Sequence, residues 1–462
     1  MIYALMRAVA RIALRWFYRD IHVEGAERVP ASGPLLVAIN HPNALVDVMV
    51  AGTSLPRRLT LTAKATLSDH PVIGALFRIL GVVPLRRASD ESARGGGDAV
   101  SRNEEAFAAL LDALAAGHAV LIFPEGRSHS EPAVAPLRTG LARVALQARA
   151  ERGLARLTIV PVGLVFERKW EPRSRVLVQV GVPLPMDEWQ GGVAELTAEV
   201  DARLRAVTLN FDSDDAARQA TDVARSLTAM SGGVRDLATP DAPLGDWLDV
   251  ARRADRVRAA LDSSGTGTPP RARLLLERLG ALDARVGELG LALGDVGVSP
   301  ALPPGMWFAV RELAILVVTG PVAAWGRLNH WAPLRLTRTL ALRSSRNPDD
   351  PAMRTMVAGL LLVLLFYAVQ TTIVGLLAGP WWALLYLASL PASASWDLTY
   401  GDRMRRARQR VRAWRVFRRD PLLQQRLRDE TRWLRDEARV IERGALGPRR
   451  VVDEAADGAA RD

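Results

Sequence analysis

Cysteine is absent from this chain of 462 residues. The absence excludes a disulfide framework, a cysteine nucleophile and a metal site built from thiolates. Lysine is nearly absent as well, because Lys64 and Lys169 are the only two, so the net charge of +11 rests on arginine. A basic chain favours nucleic acid or an anionic membrane as its partner. Since the sequence has no zinc-finger spacing, no aromatic RNP-like strand and no basic region with heptads, we expect no nucleic-acid partner.

Two further kinds of catalytic site are missing. No group of His, Asp and Glu residues has the spacing of metal ligands, and no serine lies in a G-x-S-x-G turn. We therefore expect no metal ion and no covalent intermediate on a serine.

Charged residues are absent from the stretch 355–396. A transmembrane helix needs roughly 20 apolar residues, so the stretch has room for two, with Gly379-Pro380 as the natural break. Arginines flank it on both sides, which predicts a hairpin with both ends on the cytoplasmic side. A helical core buried in the protein is the alternative. An earlier, shorter apolar run, 313–325, begins after a charged pair, and we predict a re-entrant or interfacial segment there.

Residues 1–20 are predicted to form an amphipathic helix. Arginines recur at every fourth position, at Arg7, Arg11, Arg15 and Arg19, and apolar residues including Trp16 and Phe17 fall on the other side. Such a helix is expected to lie in a membrane interface with its aromatic side chains inserted. An ordinary surface helix that packs on the domain is the alternative.

Short apolar strands alternate with helical stretches from 21 to 210. The predicted strands are 21–24, 35–39, 59–63, 82–85, 119–123, 158–162 and 176–180, and the predicted helices lie near 44–52, 72–80, 99–116, 138–152 and 192–208. This alternation is typical of an α/β domain with a mixed, mostly parallel sheet flanked by helices.

The rest of the chain is predicted to be helical. Residues 211–302 have helical periodicity and few strand signals, so we expect a helical linker region that acts as a spacer or a cap. Residues 303–400 are the predicted membrane region. Residues 401–462 form a charged tail whose first, basic part suits anionic headgroups, with a helix break near Pro421 and a disordered end from 445.

Two turns with reactive side chains follow two of the predicted strands. Asn40-His41-Pro42-Asn43 follows the strand 35–39, and Asp47 comes six residues after His41. A carboxylate near a histidine fixes its tautomer and stabilises the imidazolium, so this pair is a candidate general base. The turn Phe123-Pro124-Glu125-Gly126-Arg127-Ser128 follows the strand that begins at Ala119. Because the carboxyl ends of parallel strands meet at one edge of a sheet, we expect one site there. Taken alone, a His–Asp pair at a turn is more often a structural hydrogen bond, and the second sequence is also typical of an ordinary turn.

Four short blocks in order carry a resemblance to a known family. They are Asn40-His41 with Asp47, Gly81-Val-Val-Pro-Leu-Arg86, Phe123-Pro-Glu-Gly126, and Val160-Pro161-Val162. They resemble the blocks of the glycerol-3-phosphate and lysophosphatidic acid acyltransferase family over about residues 20–210. Five residues separate His41 from Asp47, where the family's usual first block has four. The longer form resembles the branch of glycerol-phosphate and dihydroxyacetone-phosphate acyltransferases with C-terminal membrane segments.

The resemblance implies a role for each block. His41 is the expected base that takes a proton from the acceptor hydroxyl, and Asp47 orients it. The residues expected to bind the acceptor or its phosphate are Lys64, Arg86 or its neighbour Arg87, Glu125, Gly126, Arg127 and Ser128. The turn at Gly126 is expected to offer an amide donor to the tetrahedral intermediate. Arg127 stands one position earlier than the arginine of the family's block, and His129 is close enough in sequence to be a second contact.

These patterns predict a membrane-bound O-acyltransferase of phospholipid synthesis at the cytoplasmic face of the inner cell membrane. It would move a fatty acyl chain from acyl-CoA or acyl carrier protein, as co-substrate, to a hydroxyl of glycerol-3-phosphate or lysophosphatidic acid, without a cofactor. Its expected partners are membrane lipids and the acyl donor, with the oligomeric state left open. The alternatives are an acyltransferase for another lysophospholipid or alcohol, and a non-catalytic membrane protein that binds lipid or scaffolds a complex.

Overall fold

The computed structural model describes residues 2–64, 74, 77–78, 81–85, 99–230, 247–262, 270–344 and 351–459. Contacts divide the chain into two units. The first is Met1–Asn210 with Thr337–Leu360, and the second is Phe211–Leu336 with Leu361–Asp462.

Among its described residues, the first unit contains nine strands and five complete α-helices, together with a 3-10 turn at Ala26–Arg28. The strands are β1 Asp20–Glu24, β2 Leu35–Ile39, β3 Leu59–Thr60, β4 Thr62–Lys64, β5 Val83–Leu85, β6 Ala119–Ile122, β7 Thr158–Phe166, β8 Arg175–Val180 and β9 Leu184–Pro185. The helices are α1 Ile2–Phe17, α2 Leu45–Ser54, α3 Ala99–Ala115, α4 Gly140–Arg152 and α5 Val193–Ala206. The helix predicted near 72–80 falls largely outside the described residues.

The main sheet has the strand order β1-β8-β7-β2-β6-β3, with β9 paired to β7. Strands β7, β2, β6 and β3 are parallel neighbours, whereas β8 runs antiparallel to β7 and pairs in parallel with β1. The predicted α/β class with a mixed, mostly parallel sheet is therefore confirmed. Strands β4 and β5 form a separate parallel pair.

The single strand predicted over 59–63 is divided in the structure. The chain leaves the main sheet after Thr60 and enters the smaller one at Thr62. The Thr62 hydroxyl donates a hydrogen bond of 3.0 Å to the carbonyl of Leu121, so a side chain takes over where the backbone ladder to β6 stops.

Helices cover both faces of the sheet. Along β2 the side chains alternate, so that Leu35, Val37 and Ile39 pack on one face and Leu36 and Ala38 on the other. The first core includes α1 and α2, and the second includes α3, α4 and α5. Because both faces are buried, β2 is uniformly apolar, which is how the sequence signalled it.

Helix α1 is buried along one side and exposed along another. Leu14 and Phe17 enter the first core. The exposed apolar side chains are Ile2, Leu5, Met6 and Ile12. Arg7 donates hydrogen bonds to the carbonyls of Thr53 and Leu55 at the end of α2, where a cation suits the negative end of the helix dipole. The helix therefore packs on the domain and also leaves an apolar stripe uncovered.

The second unit is helical. Its elements are α6 Asp214–Met230, α7 Trp247–Asp262, α8 Pro270–Glu288, a 3-10 turn Leu293–Gly297, the greater part of α9 Leu302–Ser344 and α10 Pro351–Ala378, then α11 Pro380–Arg419 and α12 Pro421–Ala459. Helices α6, α7 and α8 pack against α12, and Arg253 of α7 pairs with Glu442 of α12 at 2.7 Å. The helices predicted over 211–302 thus form a packed bundle with the tail. Helix α12 continues to Ala459, through Gly447 and Pro448, whereas the sequence predicted a disordered end from 445.

Two described helices are long and apolar enough to cross a membrane. They are residues Trp307–Thr337 of α9 and Val357–Ala378 of α10. In the most apolar stretch of each, 17% and 11% of the residues are buried. Such low burial disagrees with the alternative of a buried core. The predicted break at Gly379-Pro380 separates α10 from α11. Helix α11, the second span of the predicted hairpin, is not among the described helices that are long and apolar enough to cross a membrane.

The run 313–325, predicted to be re-entrant or interfacial, lies instead within the continuous helix α9. The charged pair before it lies inside the helix, where Glu312 accepts two hydrogen bonds of 2.8 Å from Arg403 of α11. The guanidinium of Arg403 thus balances the charge of Glu312 at the start of the apolar run.

Candidate active site

The sheet brings the two reactive turns together. Strands β2 and β6 are adjacent and parallel, with Ala38 paired to Ile122, so the residues that follow them emerge at the same edge. The backbone N–H of His41 donates a hydrogen bond of 2.6 Å to Oε1 of Glu125. The prediction that both turns share one edge of the sheet is confirmed.

His41 and Asp47 form a hydrogen-bonded pair. Nδ1 of His41 lies 2.9 Å from Oδ2 of Asp47, and the two side chains are 13% and 0% exposed. Asp47 lies in the first turn of α2, and Ala44 before it has a φ of 47°, which folds the chain back on itself. The five-residue spacing therefore still brings the carboxylate to the ring.

The pair has a defined tautomer. The carboxylate accepts a hydrogen bond from Nδ1–H, so Nε2 of His41 carries the lone pair. Nε2 makes no hydrogen bond to any residue that the structure describes, and a slightly exposed ring leaves it accessible to a ligand. This is the arrangement of a general base.

Asp47 is the most strongly perturbed group of the site. Burial raises the pKa of its carboxyl, and hydrogen bonds from His41 and from the N–H of Asn43 partly oppose the rise, as does the charge of Lys169. Its other oxygen, Oδ1, is buried and makes no hydrogen bond within the described residues. Both donors that this carboxyl has among the described residues therefore reach it through Oδ2.

Glu125 and His129 hold the backbone on both sides of His41. Oε2 of Glu125 is paired with Nε2 of His129 and accepts a hydrogen bond of 2.8 Å from the N–H of Ala135. The N–H of His129 donates to the carbonyl of His41 at 3.2 Å. Because both oxygens of Glu125 are occupied and the residue is buried, its contacts are those of a support for the turn.

Two neighbours fix the His41 ring and the strand end before it. The ring of Phe123 stacks on the imidazole with centroids 3.8 Å apart and planes 16° from parallel. The side chain of Asn40 accepts a hydrogen bond from the N–H of Leu164 at 2.7 Å and donates one to its carbonyl at 3.0 Å. These two bonds continue the ladder between β2 and β7 by one step beyond the last paired residues, Ile39 and Val162.

A buried polar group lies behind Asp47. The Nδ2 of Asn43 donates to the hydroxyl of Tyr18 and to the carbonyl of Lys169, both at 3.1 Å. The Tyr18 hydroxyl donates to the same carbonyl at 3.0 Å. Burial, together with the nearby charge of Asp47, raises the pKa of Tyr18, so this hydroxyl is a permanent donor.

The remaining predicted residues of the third block lie in different surroundings. Ser128 accepts a hydrogen bond of 3.0 Å from the N–H of Ala44, joining the two turns. Gly126 has a φ of 72°, and its own N–H is occupied, because it donates within the turn to the carbonyl of Phe123. The prediction that this turn offers an amide donor to the intermediate stays a prediction. Arg127 is half exposed and pairs with Glu131 at 2.5 Å, so the structure does not bring its guanidinium to His41.

Of the other predicted cations, Lys64 is placed by its backbone alone. Lys64 ends β4. Since β3 runs parallel to β6, with Thr60 paired to Val120, the chain through Lys64 continues toward the edge that carries Glu125. Arg86 and its alternative Arg87 lie outside the described residues.

Sequence reasoning missed several contacts of the site. It did not assign Phe123, Asn43, Tyr18 or the backbone of Lys169, and it named His129 only as a neighbour. For Phe123 and His129 a signal existed, since both lie in the third block. For Tyr18 no local pattern exists, because the residue reaches Lys169 across 151 positions.

Comparison with known proteins agrees with this geometry. Residues 20–165 match the family model described as Acyltransferase, and the chain therefore contains an acyltransferase family domain. The matched segment includes all four blocks, and the resemblance found in the sequence is confirmed.

Three relatives illustrate the range of similarity. The chain is 36% identical to glycerol-3-phosphate O-acyltransferase 2 of Saccharomyces cerevisiae, over 24% of this chain and 16% of that protein. It is 30% identical to lyso-ornithine lipid O-acyltransferase of Brucella abortus, over 34% and 54%. It is 26% identical to the chloroplastic 1-acyl-sn-glycerol-3-phosphate acyltransferase LPAT1 of Arabidopsis thaliana, over 35% and 40%. The matches thus span between about a sixth and about half of the length of these relatives.

Proposed function

We propose that the protein is a membrane-bound O-acyltransferase that moves a fatty acyl chain from a coenzyme A or acyl-carrier-protein thioester to a hydroxyl of glycerol-3-phosphate or lysophosphatidate. The observation that carries the proposal is the pair of His41 and fully buried Asp47, held against the Glu125 turn at the carboxyl edge of the sheet. The acyltransferase family match of residues 20–165 supports the chemistry. The acceptor class is supported by the names of the yeast and Arabidopsis relatives.

The reaction follows from the tautomer of His41. Nε2 removes the proton from the acceptor hydroxyl while its oxygen attacks the thioester carbonyl, and Asp47 stabilises the imidazolium. The tetrahedral intermediate then expels the thiolate, and the imidazolium returns the proton to that sulfur. The oxyanion needs amide donors. The N–H groups of Arg127 and Ser128 are candidates, because neither makes a hydrogen bond within the described part of the chain.

Positive charge for a phosphorylated acceptor would come from Lys64 and Arg86, as the resemblance implies. Arg127 would contribute only if it left Glu131, its surface partner. A surface ion pair contributes roughly 0–1 kcal/mol, so a phosphate dianion in the site can compete for this guanidinium. Glu125 keeps its supporting role throughout.

Attachment to the membrane is part of the proposal. Helices α9 and α10 contain stretches long and apolar enough to span a bilayer. The uncovered stripe of α1, made of Ile2, Leu5, Met6 and Ile12, would insert into the interface. Arg15 is exposed beside it and suits anionic headgroups. The predicted cytoplasmic face of the inner membrane is retained as the location, because the thioester donors arrive from the cytoplasm.

A screen of donors against acceptors tests the function. Purified full-length protein in detergent is supplied with labelled acyl-CoA or acyl carrier protein, and with glycerol-3-phosphate, lysophosphatidate, lyso-ornithine lipid or lysophosphatidylcholine. We expect transfer to one of the first two acceptors. Transfer only to an unphosphorylated or choline-bearing acceptor would support the alternative acyltransferase, and donor hydrolysis or no turnover with any pair would favour a lipid-binding scaffold.

A further inference from the structure

A chain of buried hydrogen bonds leads from the end of helix α1 to the catalytic pair. Tyr18 directly follows α1 and is 1% exposed. Its hydroxyl accepts from Asn43 Nδ2 at 3.1 Å. The N–H of Asn43 donates to Oδ2 of Asp47 at 2.7 Å, and the same oxygen is 2.9 Å from Nδ1 of His41.

Each link of this chain constrains the next. Asn43 is 2% exposed, and both hydrogens of its amide are used, one on Tyr18 and one on the carbonyl of Lys169. With its side chain held at two points, its backbone N–H is aimed at Asp47. Asp47 has only two donors on Oδ2 and none on Oδ1 within the described residues. The Asn43 N–H is therefore one of the two hydrogen-bond donors that hold the carboxylate in place beside His41.

We propose that Tyr18 and Asn43 are positioning residues for the catalytic base, and that they tie the helix carrying the uncovered apolar stripe to the His41–Asp47 pair. This inference rests on the proposed function. It adds a role for Tyr18, which lies outside the four blocks, and for Asn43, which lies between His41 and Asp47. Neither side chain touches the acceptor or the donor. They act by keeping the proton on Nδ1 and the lone pair on Nε2.

Two variants and one matched control test the proposal. Tyr18→Phe removes a single hydroxyl, and Asn43→Ala removes the side chain but keeps the N–H. Tyr3→Phe is the control, because Tyr3 lies in helix α1, which Tyr18 directly follows, and its hydroxyl makes a hydrogen bond, accepting from the N–H of Leu59 at 3.3 Å. That bond does not lead to the catalytic pair.

The kinetic readout is the split between kcat and KM. We expect Tyr18→Phe to lower kcat by roughly three- to tenfold, the scale of one lost hydrogen bond, with KM within about twofold. The double variant with Asn43→Ala should be no slower than Asn43→Ala alone, because both act through one route. Losses that multiply in the double variant, or an equal loss in Tyr3→Phe, would overturn the proposal.

A spectroscopic readout separates this inference from the proposed function. Histidine labelled with ¹⁵N reports which ring nitrogen carries the proton, and the His41 signal is assigned by its loss in His41→Ala. Tyr18→Phe should reduce the fraction of His41 protonated at Nδ1, whereas Tyr3→Phe should not. If no acceptor is acylated by the wild-type protein, the proposed function fails and the ¹⁵N spectrum alone decides the positioning role. An unchanged His41 spectrum in Tyr18→Phe rejects that role even if the enzyme is active.

Discussion

Replacing Asp47 with asparagine separates the charge of the catalytic pair from its shape. Oδ2 of Asp47 accepts from both His41 and the N–H of Asn43, so the amide oxygen of the variant is required at that position. The amide nitrogen then takes the place of Oδ1, which has no partner within the described residues. The Nδ1 tautomer of His41 is retained, and the negative charge is lost.

The size of the effect follows from the charge that develops at His41. An imidazolium and a carboxylate about 4 Å apart attract each other by about 4 kcal/mol at an effective dielectric constant of about 20. Each 1.36 kcal/mol is a factor of ten in rate, which gives up to about 10³-fold. Since His41 is partly exposed, we expect a loss of about 10²- to 10³-fold in kcat/KM.

Folding should respond in the opposite direction. Burial raises the pKa of Asp47 above its ordinary 3.8, so the folded chain holds this proton to a higher pH than the unfolded chain does. The free energy of unfolding therefore falls as the pH rises from about 4 through the raised value. The asparagine variant lacks this component, and its stability at neutral pH should equal or exceed that of the wild type.

The assay combines acyl transfer with denaturant unfolding across pH. A variant that is as stable as the wild type but about 10²- to 10³-fold slower agrees with the reasoning. Wild-type transfer rates in the variant would refute the role of Asp47, and a large loss of stability would show that the carboxylate acts mainly in folding.

Three further predictions concern the turn, its support and the membrane surface. Gly126→Ala should lower stability by about 1–2 kcal/mol, because the φ of this residue is positive. It should also lower activity, since the new Cβ would lie 3.2 Å from the side chain of Arg138. Gly153→Ala is the control: its φ is also positive but its Cβ would have no neighbour within 4 Å, so only stability should fall. His129→Ala should destabilise the fold by about 3 kcal/mol because it leaves Glu125 buried without its partner, and His129→Gln, which keeps a donor, should lose less in urea unfolding. Because the chain has no cysteine, a single Leu5→Cys can be labelled with an environment-sensitive fluorophore. In anionic vesicles its emission should shift to the blue and be quenched by brominated lipid, whereas the emission of labelled Val182→Cys, which is exposed elsewhere, should not. Equal quenching at both positions would argue against insertion of α1.

The sequence predicted most of the first unit, because its signals are local. Strand 35–39 was recognised with its observed bounds, since a strand buried on both faces is continuously apolar. The pairing of the two turns followed from one rule, that parallel strands end at the same edge. The order of blocks then identified His41 and Asp47.

What the sequence could not show depends on contacts between distant residues or on side-chain direction. The position of Arg127 depends on a surface partner, Glu131, and motif spacing does not report which way a side chain turns. The supporting role of Glu125 depends on Ala135 and His129 arriving from a loop. In the membrane region, the prediction for the run 313–325 depended on the charged pair before it. The partner that balances Glu312 is Arg403, which lies 91 positions away in the sequence.

The most direct test of the account is the rate of acyl transfer by His41→Ala, measured with the best donor and acceptor from the screen. His118→Ala is the matched control, because that residue is exposed and lies at the amino end of β6, away from the catalytic edge. The account predicts a loss of about 10²- to 10⁴-fold for His41→Ala, with unfolding unchanged and the control as active as the wild type. Transfer at the wild-type rate by His41→Ala would contradict it.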